Sequence, residues 1–153
     1  MFESCHSPFD AAHLLRARYG LPVELFADRP FLISGRTVEA IALPTPLARQ
    51  VRNRLIDLPS IPAIADPRNR RWTFLVTPPI PYHPVPQQLQ SRLTAHGATL
   101  PRRGDRIMLP LTDYQLACHW ASEPEPGHLR MPHRATIISA LRATILDSTA
   151  EIA

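Results

Sequence analysis

Two short stretches of this chain carry three arginines each, Arg68, Arg70 and Arg71 around one turn and Arg102, Arg103 and Arg106 around another. Guanidinium groups grip phosphates in bidentate fashion and stack on flat bases. Two such turns brought together beside Tyr82 or His83 would therefore form a nucleic-acid-binding surface. A third group, Arg49, Arg52 and Arg54, falls off the apolar stripe of a predicted helix, towards solvent. The simpler account of each group is a solvated turn or helix face. All 17 basic residues are arginine, and together with 18 prolines this follows GC-rich codon usage, so composition explains much of the arginine excess. A net charge of +4 agrees with an acidic partner without demanding one.

Other chemistry is scarce. General acid–base catalysis and two-metal phosphoryl transfer need carboxylates that converge at a strand end. No predicted strand carries a pair of them, and the one triplet of that spacing, Glu123-Pro124-Glu125, falls in a proline-rich loop. Asp66, followed by Pro67 and Arg68, reads as a turn cap. Glu39 sits in an otherwise apolar strand and needs either an edge position or a cation, Arg36 or Arg71. Cys118, His119, His128 and His133 are metal-ligand types close in sequence, but without the spacing of a zinc motif, and Cys5-His6 is weaker still; no metal is expected. There is no Gly-x-Ser-x-Gly elbow, and five glycines are too few for a phosphate loop, so no cofactor is expected either. An enzyme would have to assemble Asp66, Glu39 and His83 into a site of its own, and the expectation is a chain without catalysis.

The elements that must position these residues read as one α/β domain over residues 1–153, with α+β as the variant: a mixed central sheet of about five strands and three to four flanking helices. Ser7-Pro8 opens a helix over 8–19, closed by Gly20. Residues 22–27 and 31–34 form a hairpin or a strand and loop about Asp28-Arg29-Pro30. Thr37 to Leu43 is a buried strand, and Thr45-Pro46 caps a helix with Leu47, Val51 and Leu55 on one face. Strand, helix, strand is the grammar of a parallel crossover. Residues 62–65 and 71–77 follow as strands about a 66–70 turn, the second at the centre of the sheet. Five prolines within residues 78–86 impose an extended connector. Beyond it come a helix over 86–96 with Leu89 and Leu93 inward, strands at 106–109 and 116–121, and a helix over 133–146 that frays at its end.

No window reaches the roughly eighteen uninterrupted apolar residues of a membrane span. Met1 to His6 lacks a secretory start, so the reading is a cytoplasmic chain with no membrane partner, and Cys5 and Cys118 are read as reduced thiols.

Gly35, Val38-Glu39-Ala40-Ile41, Leu43-Pro44, Ile64-Ala65-Asp66-Pro67 and Arg71 to Val76 stand in an order similar to that of small actinobacterial proteins related to the N-terminal domain of bifunctional DNA primase/polymerases. Gly104 to Pro110, Trp120 and Met131-Pro132 extend the likeness to about two thirds of the chain. The resemblance implies an α/β fold distantly similar to the primase-polymerase core. Active members place two acidic residues one apart on a strand, with a downstream histidine, to hold metal and nucleotide. This chain lacks the pair, so the resemblance implies a scaffold without polymerase chemistry. The expected function is an inert accessory domain that binds nucleic acid, or a protein that processes it, through Arg68, Arg70, Arg71, Arg102, Arg103 and Arg106. The rival expectation is a protein-interaction module or homodimeric scaffold that binds no nucleic acid.

Overall fold

Ser7 opens helix α1 (Pro8–Tyr19): its hydroxyl accepts from the Asp10 backbone N–H, and Gly20, at φ 72°, closes the helix in the left-handed region. The computed structural model describes residues 1–35, 37–127 and 130–152.

Strands β1 (Glu24–Phe26) and β2 (Arg29–Ile33) form an antiparallel hairpin. The turn is Ala27-Asp28, both with positive φ, and not Asp28-Arg29-Pro30. Two left-handed turn residues match the twist of the flanking strands, which leaves Arg29 and Pro30 inside β2. The other side of β2 pairs with β6 (Arg106–Met108), completing a three-stranded antiparallel sheet.

The second sheet has the order β3-β5-β4-β7, built from Glu39–Pro44, Arg71–Val76, Ala63–Ala65 and His119–Ser122. Helix α2 (Thr45–Arg54) joins β3 to β4, and these two strands do run the same way, as a crossover requires. They are not neighbours: β5 lies antiparallel between them, so the expected adjacent parallel pair is absent. The tight turn at 66–70, with Asn69 at positive φ, folds β5 straight back onto β4. β5 is an interior strand of this sheet, as its apolar faces imply. Among the described residues, seven strands in two sheets thus stand in place of the expected single sheet of about five.

Thr45 is the first residue of α2 rather than its cap, and its hydroxyl donates to the Asn69 carbonyl, tying the helix start to that turn. Helix α3 (Gln87–Ala95) buries Leu93 and half-buries Leu89. The connector at 78–86 holds neither helix nor strand. Helix α4 (Arg134–Ile152) runs past the expected end near 146. No helix among the described residues is long and apolar enough to cross a membrane.

The four-stranded sheet has two covered faces. Ile41, Leu43, Phe74 and Val76 meet Val51 of α2, Leu93 of α3 and Ile137 and Leu141 of α4. On the other face Ala40, Ile64 and Leu75 meet Leu15 of α1, Leu32 of β2 and Ile107 of β6. Each large side chain so buried contributes about 1.5–3 kcal/mol. Ala40 and Ala42 of β3 leave this second face under-filled towards one end, where a cleft opens.

Candidate nucleic-acid interface

The first arginine turn is built around Asp66. Its Oδ1 accepts from the backbone N–H groups of Arg70 and Arg71, at 2.6 and 3.3 Å, the turn-capping role expected of it. Arg68 and Arg70 project from that turn into solvent. Arg71, at the start of β5, is a brace: its Nη2 donates to the carbonyls of Ala42 and Gly97 and to the Thr99 hydroxyl, at 3.1, 2.9 and 2.8 Å.

The second turn is closed by Asp105, whose carboxylate accepts from the Arg102 N–H at 2.8 Å, while Gly104 N–H donates to the Ser34 carbonyl. The Arg103 guanidinium lies 4.9 Å from the Tyr82 ring centre, so the proline-rich connector does deliver an aromatic to this turn. Arg106 is held between Phe26 and Phe31, at 4.7 and 4.9 Å from their ring centres.

Arg71 and Arg106 line one cleft of about 390 Å³ between the two sheets, with Ala40 and Ala42 on its floor and Asp66 and Cys118 in its wall. Arg102, Arg103 and Tyr82 line an adjoining hollow of about 340 Å³, and Pro101 borders both. Arg68 and Arg70 line neither. The structure thus joins four of the six arginines along two neighbouring hollows and leaves the other two on an exposed turn.

The third arginine group serves the fold. Arg49 and Arg52 stack over Trp72, at 5.8 and 4.8 Å, on the helix-covered side of the sheet. Arg54 pairs with Asp147 and donates to the Thr144 hydroxyl, fastening α2 to α4. The three are therefore not simply a solvated face.

Glu39 does have a cation, and it is Arg134, at 3.1 Å. Arg71 is engaged elsewhere, and Arg36 lies outside the described residues. Arg134 was hidden from sequence because it follows Glu39 by 95 residues and carries no motif. Its Nη2 also lies 3.3 Å from His83 Nδ1. Glu39 pairs with Val76 at one end of β5, whereas Asp66 sits beyond Ala65, opposite Trp72, at the other end. Asp66, Glu39 and His83 therefore do not converge on one site.

Cys5 and Cys118 are both free. Burial, reinforced by the Asp66 charge, pushes the Cys118 thiol up to about 11, the opposite of what a nucleophile needs. His119 Nδ1 faces the Ala117 carbonyl, His133 Nδ1 accepts from the Ala135 N–H at the start of α4, and His128 lies outside the described residues. Among the described residues no three His, Cys, Asp or Glu side chains gather as a metal site.

No family model, curated protein or solved structure matches this chain. Function must be sought in the interface itself. It offers fixed guanidinium groups, two of them stacked on aromatic rings, beside a cleft with a small apolar floor, a combination suited to phosphates and flat bases.

Proposed function

We propose that this chain is a non-catalytic accessory domain of the bacterial cytoplasm that binds nucleic acid, built on a scaffold akin to the primase-polymerase core. The observation that carries the reading is the placement of Arg71 and Arg106, from two separate turns, on one cleft. Arg102 and Arg103 extend the basic track through the hollow next to it, and Arg68 and Arg70 reach out from the same turn as Arg71. Backbone phosphates would follow the arginines, while bases stack on Tyr82 and Phe26, the latter 60% exposed.

The test is salt. Binding of labelled oligo-dT, followed by fluorescence anisotropy, should weaken linearly in log–log form, with a slope of about −0.7 per phosphate neutralised. A flat response would remove the reading.

One observation favours a protein-interaction role instead. Ile56 is 78% exposed and, with Leu58, borders a hollow beside Ser122 of the edge strand β7. In that case sedimentation would show self-association that Ile56→Glu abolishes, and oligo-dT would not bind at any salt concentration.

A further inference from the structure

The hollow of about 340 Å³ beside the arginine cleft holds a group that phosphate binding does not explain. Glu39, with 9% of its side chain exposed, lines it together with Arg102 and Arg103. A carboxylate repels a phosphate, so this stretch of the basic track does not serve the backbone alone. The carboxylate is also short of donors. Both of its oxygens face one atom, Arg134 Nη1, at 3.1 and 3.5 Å, and among the described residues no other group donates to it. An ionised carboxylate has about four acceptor sites. Gln90 of α3, half-buried, lines the same hollow, and its side-chain amide has no hydrogen-bond partner among the described residues. Tyr82 brings a ring to the hollow with Arg103 stacked 4.9 Å from its centre, and Leu100 adds apolar wall.

What suits these groups is a flat ring with donors along one edge, and the four bases differ there. Guanine sets N1–H and N2–H side by side, one for each oxygen of a carboxylate, with O6 next to them to accept from an amide. Adenine and cytosine place an acceptor ring nitrogen beside their amino group, and thymine flanks its N3–H with two carbonyls. Each of those three therefore turns a lone pair on one carboxylate oxygen. The edge in question is free only in an unpaired base.

We infer that the hollow lined by Glu39, Gln90 and Tyr82 selects a guanine base of a single strand, an inference that rests on the nucleic-acid reading of the arginine cleft. Glu39 accepts from N1–H and N2–H, and the Gln90 amide donates to O6. The base lies against Tyr82, while Arg102 and Arg103 hold the flanking phosphates.

The probe is fluorescein-labelled oligo-dT with its central residue replaced by dG, dA, dC or deoxyinosine, titrated against the whole chain by anisotropy at one salt concentration. The dG oligonucleotide should bind about tenfold or more tightly than the dA and dC ones. Deoxyinosine, which lacks the N2 amino group, should lose most of that gain. The dG-to-dA ratio should shrink severalfold in Gln90→Ala and vanish in Glu39→Gln, with circular dichroism checking the fold of each. The deoxyinosine comparison alters the ligand alone and stands even where Glu39→Gln does not fold. Equal binding of dG, dA and dC, a deoxyinosine oligonucleotide as tight as the dG one, or a ratio unchanged in both folded variants overturns the inference. Salt-dependent binding of plain oligo-dT would then still uphold the nucleic-acid reading, whereas failure of every oligonucleotide to bind removes both. GMP should compete weakly, having one phosphate for the arginine track, and GMP that competes as well as the dG oligonucleotide overturns the assignment to a strand.

Discussion

The Arg134 guanidinium lies 3.1 Å from the Glu39 carboxylate, with 6% and 9% of the two side chains exposed. Arg134 is also the first residue of α4, where the helix dipole disfavours a cation. The carboxylate therefore offsets two penalties, the desolvation of the guanidinium and its place at a helix N-terminus. Glu39→Leu should leave a buried unpaired cation and cost about 3–5 kcal/mol. The melting temperature should fall by on the order of 10 °C. The double variant Glu39→Leu with Arg134→Leu should recover most of that loss. Thermal unfolding followed by circular dichroism decides it, and a double variant no more stable than the single one would show that the pair is not the cause.

Gly35 links the fold to the interface. At φ 104° it is in a conformation that side chains rarely adopt, and a β-carbon there would run into the side chain and backbone of Arg103. Gly35→Ala should cost about 1–3 kcal/mol in strain and push Arg103 off Tyr82. Gly104 has a similar φ of 93° but open space around it, so Gly104→Ala carries strain alone. Chemical denaturation should show both variants destabilised, while only Gly35→Ala also weakens oligo-dT binding.

Cys118 should resist alkylation in the folded chain. Its thiol is raised by burial and by Asp66 from 9.0 to about 11, so at pH 8 the reactive thiolate is about a hundredfold scarcer than in an unfolded chain. Because the folded value is the higher one, the stabilisation is complete below about pH 9 and disappears as pH rises through about 11. Iodoacetamide labelling read by mass spectrometry should show Cys118 unmodified at pH 8 and modified after denaturation. Rapid labelling of the native chain would contradict the burial.

Local signals in the sequence translated well into local structure. Ser7, Pro8 and Gly20 bracket α1 because capping is decided by side chains within a few residues of the helix end. The Asp66 turn and the alternating faces of β5 were legible for the same reason. What the sequence could not supply was pairing between distant strands. Nothing local says that β5 inserts between β3 and β4, or that β2 and β6 leave the main sheet for one of their own. The arginine turns were likewise recognisable one at a time. Their relation depends on Pro101 and Gly35, which set where the 101–106 segment lies, and on Arg71 being anchored to three acceptors. Arg134 as the partner of Glu39 is a long-range choice among many arginines, and only packing makes it.

If nucleic acid follows the arginine track, position must matter and not merely charge. Arg102 and Arg106 belong to the two adjoining hollows, whereas Arg52 stacks on Trp72 across the sheet from the cleft. Arg102→Gln, Arg106→Gln and Arg52→Gln each remove one positive charge, so a binding mode driven by net charge would weaken equally in all three. The interface predicts otherwise. Arg102→Gln and Arg106→Gln should each lower the magnitude of the salt slope for oligo-dT by about 0.7, the share of one phosphate contact, while Arg52→Gln leaves it unchanged. Arg71 is a poor choice for this comparison, because its three hydrogen bonds make any loss of binding inseparable from a loosened sheet edge. Anisotropy titrations at four or more salt concentrations give the slopes directly. Equal slopes in all three variants would detach nucleic-acid binding from the cleft.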